Sequence, residues 1–212
     1  MVSAMVRLFF VLTTTMNTDY LKLLLAAWNI LYENLDLIQW VACWLTGDRL
    51  SLTALLTGNW STMGVCMTNS ILGTPGSEVY VFFTPLSNEA FSGLPLGVTP
   101  GGTILIPDRS DIWQEFVELF LSSNPLDRLC SVVELATWLA HELTHTCGYA
   151  FGDPWFEDGS DACPKSYLFE NAFRWALHRR YGDLAASCCS SLGSERLFGE
   201  SEIEAHPYDA CR

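Results

Sequence analysis

Two histidines flank a glutamate in the segment His141-Glu142-Leu143-Thr144-His145, and their spacing is what gives them chemical meaning. A helix turns about 100° per residue, so positions four apart differ by roughly 40° and lie one turn apart on the same face. Both imidazoles can then address one ion. Glu142 falls on the flank of that face, where its carboxylate reaches a water rather than the ion, as a general base must. The chemistry this predicts is zinc-assisted hydrolysis. The chain has four histidines, and two of them fall within these five residues, which argues against an incidental surface pair.

Two ligands do not complete a catalytic zinc (Zn2+) site, which takes three from the protein and leaves the fourth position to water. Glu170 is the first candidate for the third. On a helix it shares a face with Phe173 and Leu177, near Tyr167 and Tyr181, and a buried carboxylate requires a cation. Its alternative role is an i, i+4 surface pair with Arg174. Asp153, Glu157, Asp158 and Asp161, in the loop after the motif, are further candidates. A loop this acidic also suits a solvated surface or a calcium (Ca2+) lip. Cys163 ranks lower, because Cys147 lies away from the metal face and can pair with it in a disulfide tying loop to helix. Tyr167, Tyr181 and His178 are candidate donors to a developing oxyanion, with no basis for choosing among them.

The element that must carry the histidines is a long helix over residues 124–148. Asn124 suits the N-cap, Pro125 the first helical position, Asp127 the positive first turn and Gly148 the position after the last turn. Leu129, Val132, Leu135, Leu139, Leu143 and Cys147 form an apolar stripe away from the histidines. Glu134, Thr137 and Trp138 share the histidine side, as outer partners of the ligands or walls of a cleft. A second helix, from about 164 or 166 to 180 and stopped at Gly182, carries Glu170.

Upstream, residues 6–13 read as a buried strand, or as a poor signal peptide without a clear cleavage site. A nearly all-apolar helix follows over about 19–45, with a bend or break near Asn34. Residues 47–110 read as short strands and turns, the clearest strands being 78–83 and 103–107, where Pro107 suits a strand end or a sheet edge. A short helix over 111–121 leads into the central one.

The 212 residues suit one domain with a sizeable core, and 50% hydrophobic against 17% charged residues excludes a disordered chain. A net charge of −13 argues against nucleic acid or an anionic membrane as partner. No apolar stretch is long enough for a membrane span. Eight cysteines, crowded toward the C-terminus, suggest disulfides and a secreted or extracytoplasmic protein.

Through His141, Glu142 and His145 the sequence resembles the zincin metallopeptidases, and the coarse order of its elements is similar to theirs. The resemblance implies an α+β fold. Residues 1–148 would form an N-terminal part, with a small twisted sheet, a backing helix and the active-site helix. Residues 149–212 would form a smaller, mainly helical part. Glu170, on its own helix, looks like the glutamate ligand of gluzincins. Arg174 stands where thermolysin-like members carry an Asp, and Phe151 where metzincins carry their third ligand. The expected activity is that of a zinc metalloendopeptidase acting on a peptide or protein substrate, the edge strand 103–107 pairing with extended substrate. The alternatives are an inactive or structural-zinc binding module, and a zinc amidase acting on a non-protein amide.

Overall fold

A computed structural model describes residues 9–11, 18–46, 63–87, 97–98, 103–109, 111–147 and 165–182. The elements in chain order are β1 (Phe9–Val11), α1 (Thr18–Glu33), α2 (Leu35–Thr46), α3 (Met63–Leu72), β2 (Tyr80–Ser87), β3 (Gly97–Val98), β4 (Ile104–Arg109), α4 (Asp111–Leu121), α5 (Pro125–Thr146) and α6 (Lys165–Arg180).

The apolar run over 19–45 breaks at Asn34, where a bend or break was expected, without glycine or proline. The buried Asn34 amide donates to the Ile30 carbonyl at 2.7 Å and to the Tyr181 hydroxyl at 3.0 Å. Arg180 Nη1 donates to its Oδ1 at 2.9 Å and, with Nη2, grips Asp36 at 2.9 and 2.6 Å. A side-chain amide competing for helix carbonyls is a known way for Asn to interrupt a helix. Here the interruption is fixed by the end of α6.

The sheet order is β1-β2-β4-β3, with β1, β2 and β4 parallel and β3 antiparallel to β4. Val79, Val81 and Phe83 are buried while Tyr80 is exposed, the alternation of a strand with one covered face. Tyr20 of α1, Phe83 of β2 and Trp113 of α4 pack as an aromatic group with centroids 5.8–6.4 Å apart, joining the helices to that face. α5 runs through the middle, packed by α1, α4 and α6. Phe169, Phe173 and Leu177 of α6 join the same core.

Two expectations need correction. Residues 63–72 form a helix within the stretch read as strands. MGVCMTNSIL is buried on nearly every side, so it shows no amphipathic period to identify it. A Cβ on Gly64 would stand 3.2 Å from Ala42 Cβ, so glycine is what lets α3 approach α2 this closely. The strand at 103–107 is not an edge either. β4 is paired on both sides, and the register irregularity between Thr84 and Ser87 adjoins Pro107, which has no N–H to give the ladder. The outer strands of the sheet order are β1 and β3, and the two residues of β3 are too short to read from sequence.

Candidate metal centre

α5 begins where its sequence indicates. Asn124 caps it, Oδ1 accepting from the Leu126 N–H at 3.0 Å, with Pro125 in the first turn. The apolar stripe is covered as expected: Leu135, Leu139 and Leu143 are fully buried. The histidine side is covered too, because α6 lies along it. His141 and Glu142 are buried, and His145 is half-buried.

The two imidazoles face one another with Nε2 atoms 3.1 Å apart and ring planes at 70°. Two nitrogens bound to one zinc at about 2.0–2.1 Å and roughly tetrahedral angles stand about 3.3 Å apart, so the pair fits a shared ion through Nε2 on each ring. Among the described residues, no group of three or more His, Cys, Asp or Glu converges as a metal site. Asp153, Glu157, Asp158, Asp161, Cys163 and the helix-ending Gly148 lie outside the described residues, as does the expected boundary after residue 148.

Glu170 is beside the pair, on the opposite nitrogen. Its Oε2 is 2.9 Å from His141 Nδ1, a contact of charge and distance in which the oxygen lies off the line of the ring N–H. Its Oε1 accepts from Arg174 Nη2 at 2.7 Å. The i, i+4 pair with Arg174 therefore exists, but it is buried rather than superficial. Arg174 also donates through Nε to Glu134 Oε2 at 2.9 Å and through Nη1 to Asn171 Oδ1 at 3.0 Å. His178 Nε2 donates to Glu134 Oε1 at 2.8 Å.

These contacts set the charge states. Burial alone would raise the Glu170 carboxyl, but the Arg174 charge and the His141 contact hold it down to about 2. Burial likewise opposes ionisation of Glu134, and Arg174 and His178 overcome it, so Glu134 also lies below the usual carboxylate range. Burial works against the Arg174 charge as well, yet Glu134 and Glu170 outweigh it and raise its pKa. Among the described residues, no Arg or Lys holds Glu142 in this way. Burial pushes it up to about 7, His141 offsetting part of the rise and the Glu170 charge adding to it. Neighbouring carboxylates thus have opposite proton affinities, the pattern by which environment assigns acid and base roles.

Two of the three candidate oxyanion donors, His178 and Tyr181, lie away from the histidines. His178 is turned to Glu134, eight residues and about 12 Å beyond Glu170 along α6. The Tyr181 hydroxyl accepts from the Asn34 amide at the α1–α2 break. Tyr167 is on the first turns of α6, at the histidine end, and its side chain is outside what is described. Of the residues expected to flank the site on α5, Glu134 enters the charge network. Thr137 donates to the Glu134 carbonyl at 2.7 Å, and Trp138 packs edge-on against Phe116.

Ser166 was not anticipated from sequence. Its hydroxyl lies 2.6 Å from that of Thr144 and 3.5 Å from His145 Nδ1. The signal for it was the spacing of Ser166, Glu170, Arg174 and His178, polar at every fourth position along one side of the helix.

Just past the motif, Cys147 forms a disulfide with Cys66 of α3, not with Cys163. The packing of α3 against α5 brings together two cysteines 81 residues apart, a pairing that sequence spacing does not reveal. Cys43 and Cys130 are disulfide-bonded as well. Among the described residues, no helix is long and apolar enough to cross a membrane.

Compared with family models, curated proteins and solved structures, the chain matches none of them.

Proposed function

We propose that this protein is a zinc-dependent hydrolase cleaving peptide bonds, with His141 and His145 as ligands through Nε2 and a carboxylate as the third. The observation that carries the reading is the 3.1 Å approach of the two Nε2 atoms, with buried Glu142 on the same turn. When bound, zinc would supply Lewis acidity, polarising the scissile carbonyl and acidifying a water. Glu142 supplies the base. Its proton affinity, raised to about 7, suits a carboxylate that takes a proton from water near neutral pH and returns it to the leaving amine nitrogen.

β3 supports a peptide as substrate. It is the last strand in the sheet order and lies against α5, so an extended chain pairing along it would cross the helix that bears the histidines. Of the oxyanion candidates, Tyr167 is retained because it lies on α6 at the histidine end. The disulfide between Cys66 and Cys147 supports an oxidising, extracytoplasmic compartment.

The test is cleavage of a denatured protein substrate by wild type and Glu142→Ala, with and without a chelator. The reading expects cleavage by wild type that the chelator removes and zinc restores, and none by the variant. Chelator-resistant cleavage, or cleavage by Glu142→Ala, would overturn it.

A further inference from the structure

α6 approaches the histidine pair with polar side chains at intervals of four, and each meets a partner on α5. Ser166 lies by His145 Nδ1 at 3.5 Å, Glu170 by His141 Nδ1 at 2.9 Å, and Arg174 and His178 both grip Glu134. The i, i+4 series on α6 therefore runs antiparallel along one side of α5: 166 with 145, 170 with 141, and 174 and 178 with 134. In each histidine it is Nδ1 that α6 reaches, while the Nε2 atoms face one another.

Both Glu170 oxygens are committed away from that meeting point, one to His141 and one to Arg174. Swinging Glu170 round to Nε2 would part Arg174 Nη2 from its partner in a buried setting, an arrangement proteins avoid. Arg174 in turn is held by Glu134, itself fixed by His178. A carboxylate or hydroxyl on the second nitrogen of a ligating histidine fixes ring orientation and tautomer, and its loss typically weakens metal binding 10–100-fold without removing a ligand.

From this register we infer that Glu170 is a positioning residue and not the third zinc ligand. With zinc bound, it would accept the His141 Nδ1 proton across the 2.9 Å contact already in place, and Ser166, 3.5 Å from His145 Nδ1, would do the same for that ring, with Arg174, Glu134 and His178 bracing Glu170 from behind. The inference rests on the zinc reading above. It departs from the glutamate ligand that the gluzincin resemblance implies.

The experiment is X-ray absorption and zinc titration of wild type, Glu170→Gln and Ser166→Ala, each first shown to be folded by circular dichroism. The inference expects the same coordination number in all three, with zinc affinity 10–100-fold weaker in Glu170→Gln and a smaller loss in Ser166→Ala. Loss of one oxygen donor from the zinc shell of Glu170→Gln would overturn it. Long-range proton–nitrogen spectra of zinc-loaded wild type need no variant. They should show metal on His141 Nε2 and a proton on Nδ1; metal on Nδ1 would overturn the inference. If wild type binds no zinc at all, the hydrolase reading itself falls, and that is seen before any variant is compared.

Discussion

Replacing Glu142 by Gln should stabilise the metal-free protein while abolishing the activity proposed for it. Glu142 is buried, and burial pushes its carboxyl up from 4.5 to about 7. At pH 8 the folded chain must hold this carboxylate ionised in a poorly solvated place. The difference of about 2.5 units, at 1.36 kcal/mol each, comes to roughly 3 kcal/mol against folding. A group with a raised folded pKa contributes stability that is fully present below its unfolded value and is lost as pH rises through the folded one. The gain from Gln, which stays neutral, should therefore be about 3 kcal/mol at pH 8, about 1 kcal/mol near pH 5 and negligible below pH 4. In a chain of this length that corresponds to a rise in Tm on the order of 10 °C at pH 8. The assay is thermal unfolding of chelator-treated wild type and variant at pH 4, 5 and 8. A gap that does not grow with pH, or a variant less stable than wild type at pH 8, would refute the reasoning.

The opposite sign applies to Glu170, whose folded pKa of about 2 lies below the usual 4.5. Its contribution, on the order of 3 kcal/mol, should be present above pH 4.5 and fade as pH falls toward 2, so the stability gap between wild type and Glu170→Gln should narrow across that window in denaturant melts. Asn124→Ala removes the acceptor for the Leu126 N–H and should cost about 1 kcal/mol in urea unfolding, with zinc content unchanged. The disulfide between Cys66 and Cys147 closes a span of 81 residues, so the paired Ser variant should lose up to about 4 kcal/mol; an unchanged Tm would contradict its role in anchoring the end of α5.

The parts of the fold that could be read from the sequence were those whose local chemistry agrees with their tertiary role. Asn124, Pro125 and Asp127 announce α5 because capping is a local event. The break at Asn34 was visible as polar residues in an apolar run. α3 was not visible, because a helix buried on nearly every side carries no period, nor was β3, because two residues carry no pattern. At the site, the histidine spacing sufficed to place both rings on one side of α5. What spacing on one helix cannot give is the register between two helices. It is this register that sets Glu170 against Nδ1, removes His178 and Tyr181 from the histidines, and turns Arg174 from an apparent surface partner into a buried one. The pairing of Cys147 with Cys66 is likewise a product of tertiary packing.

The most direct test of the central claim is the zinc content of purified wild type, His145→Ala and Glu142→Gln, measured on the same preparations used for peptide cleavage. The account predicts one zinc per chain in wild type and in Glu142→Gln, little in His145→Ala, and cleavage by wild type alone. Full zinc in His145→Ala would contradict the account, as would undiminished cleavage by Glu142→Gln.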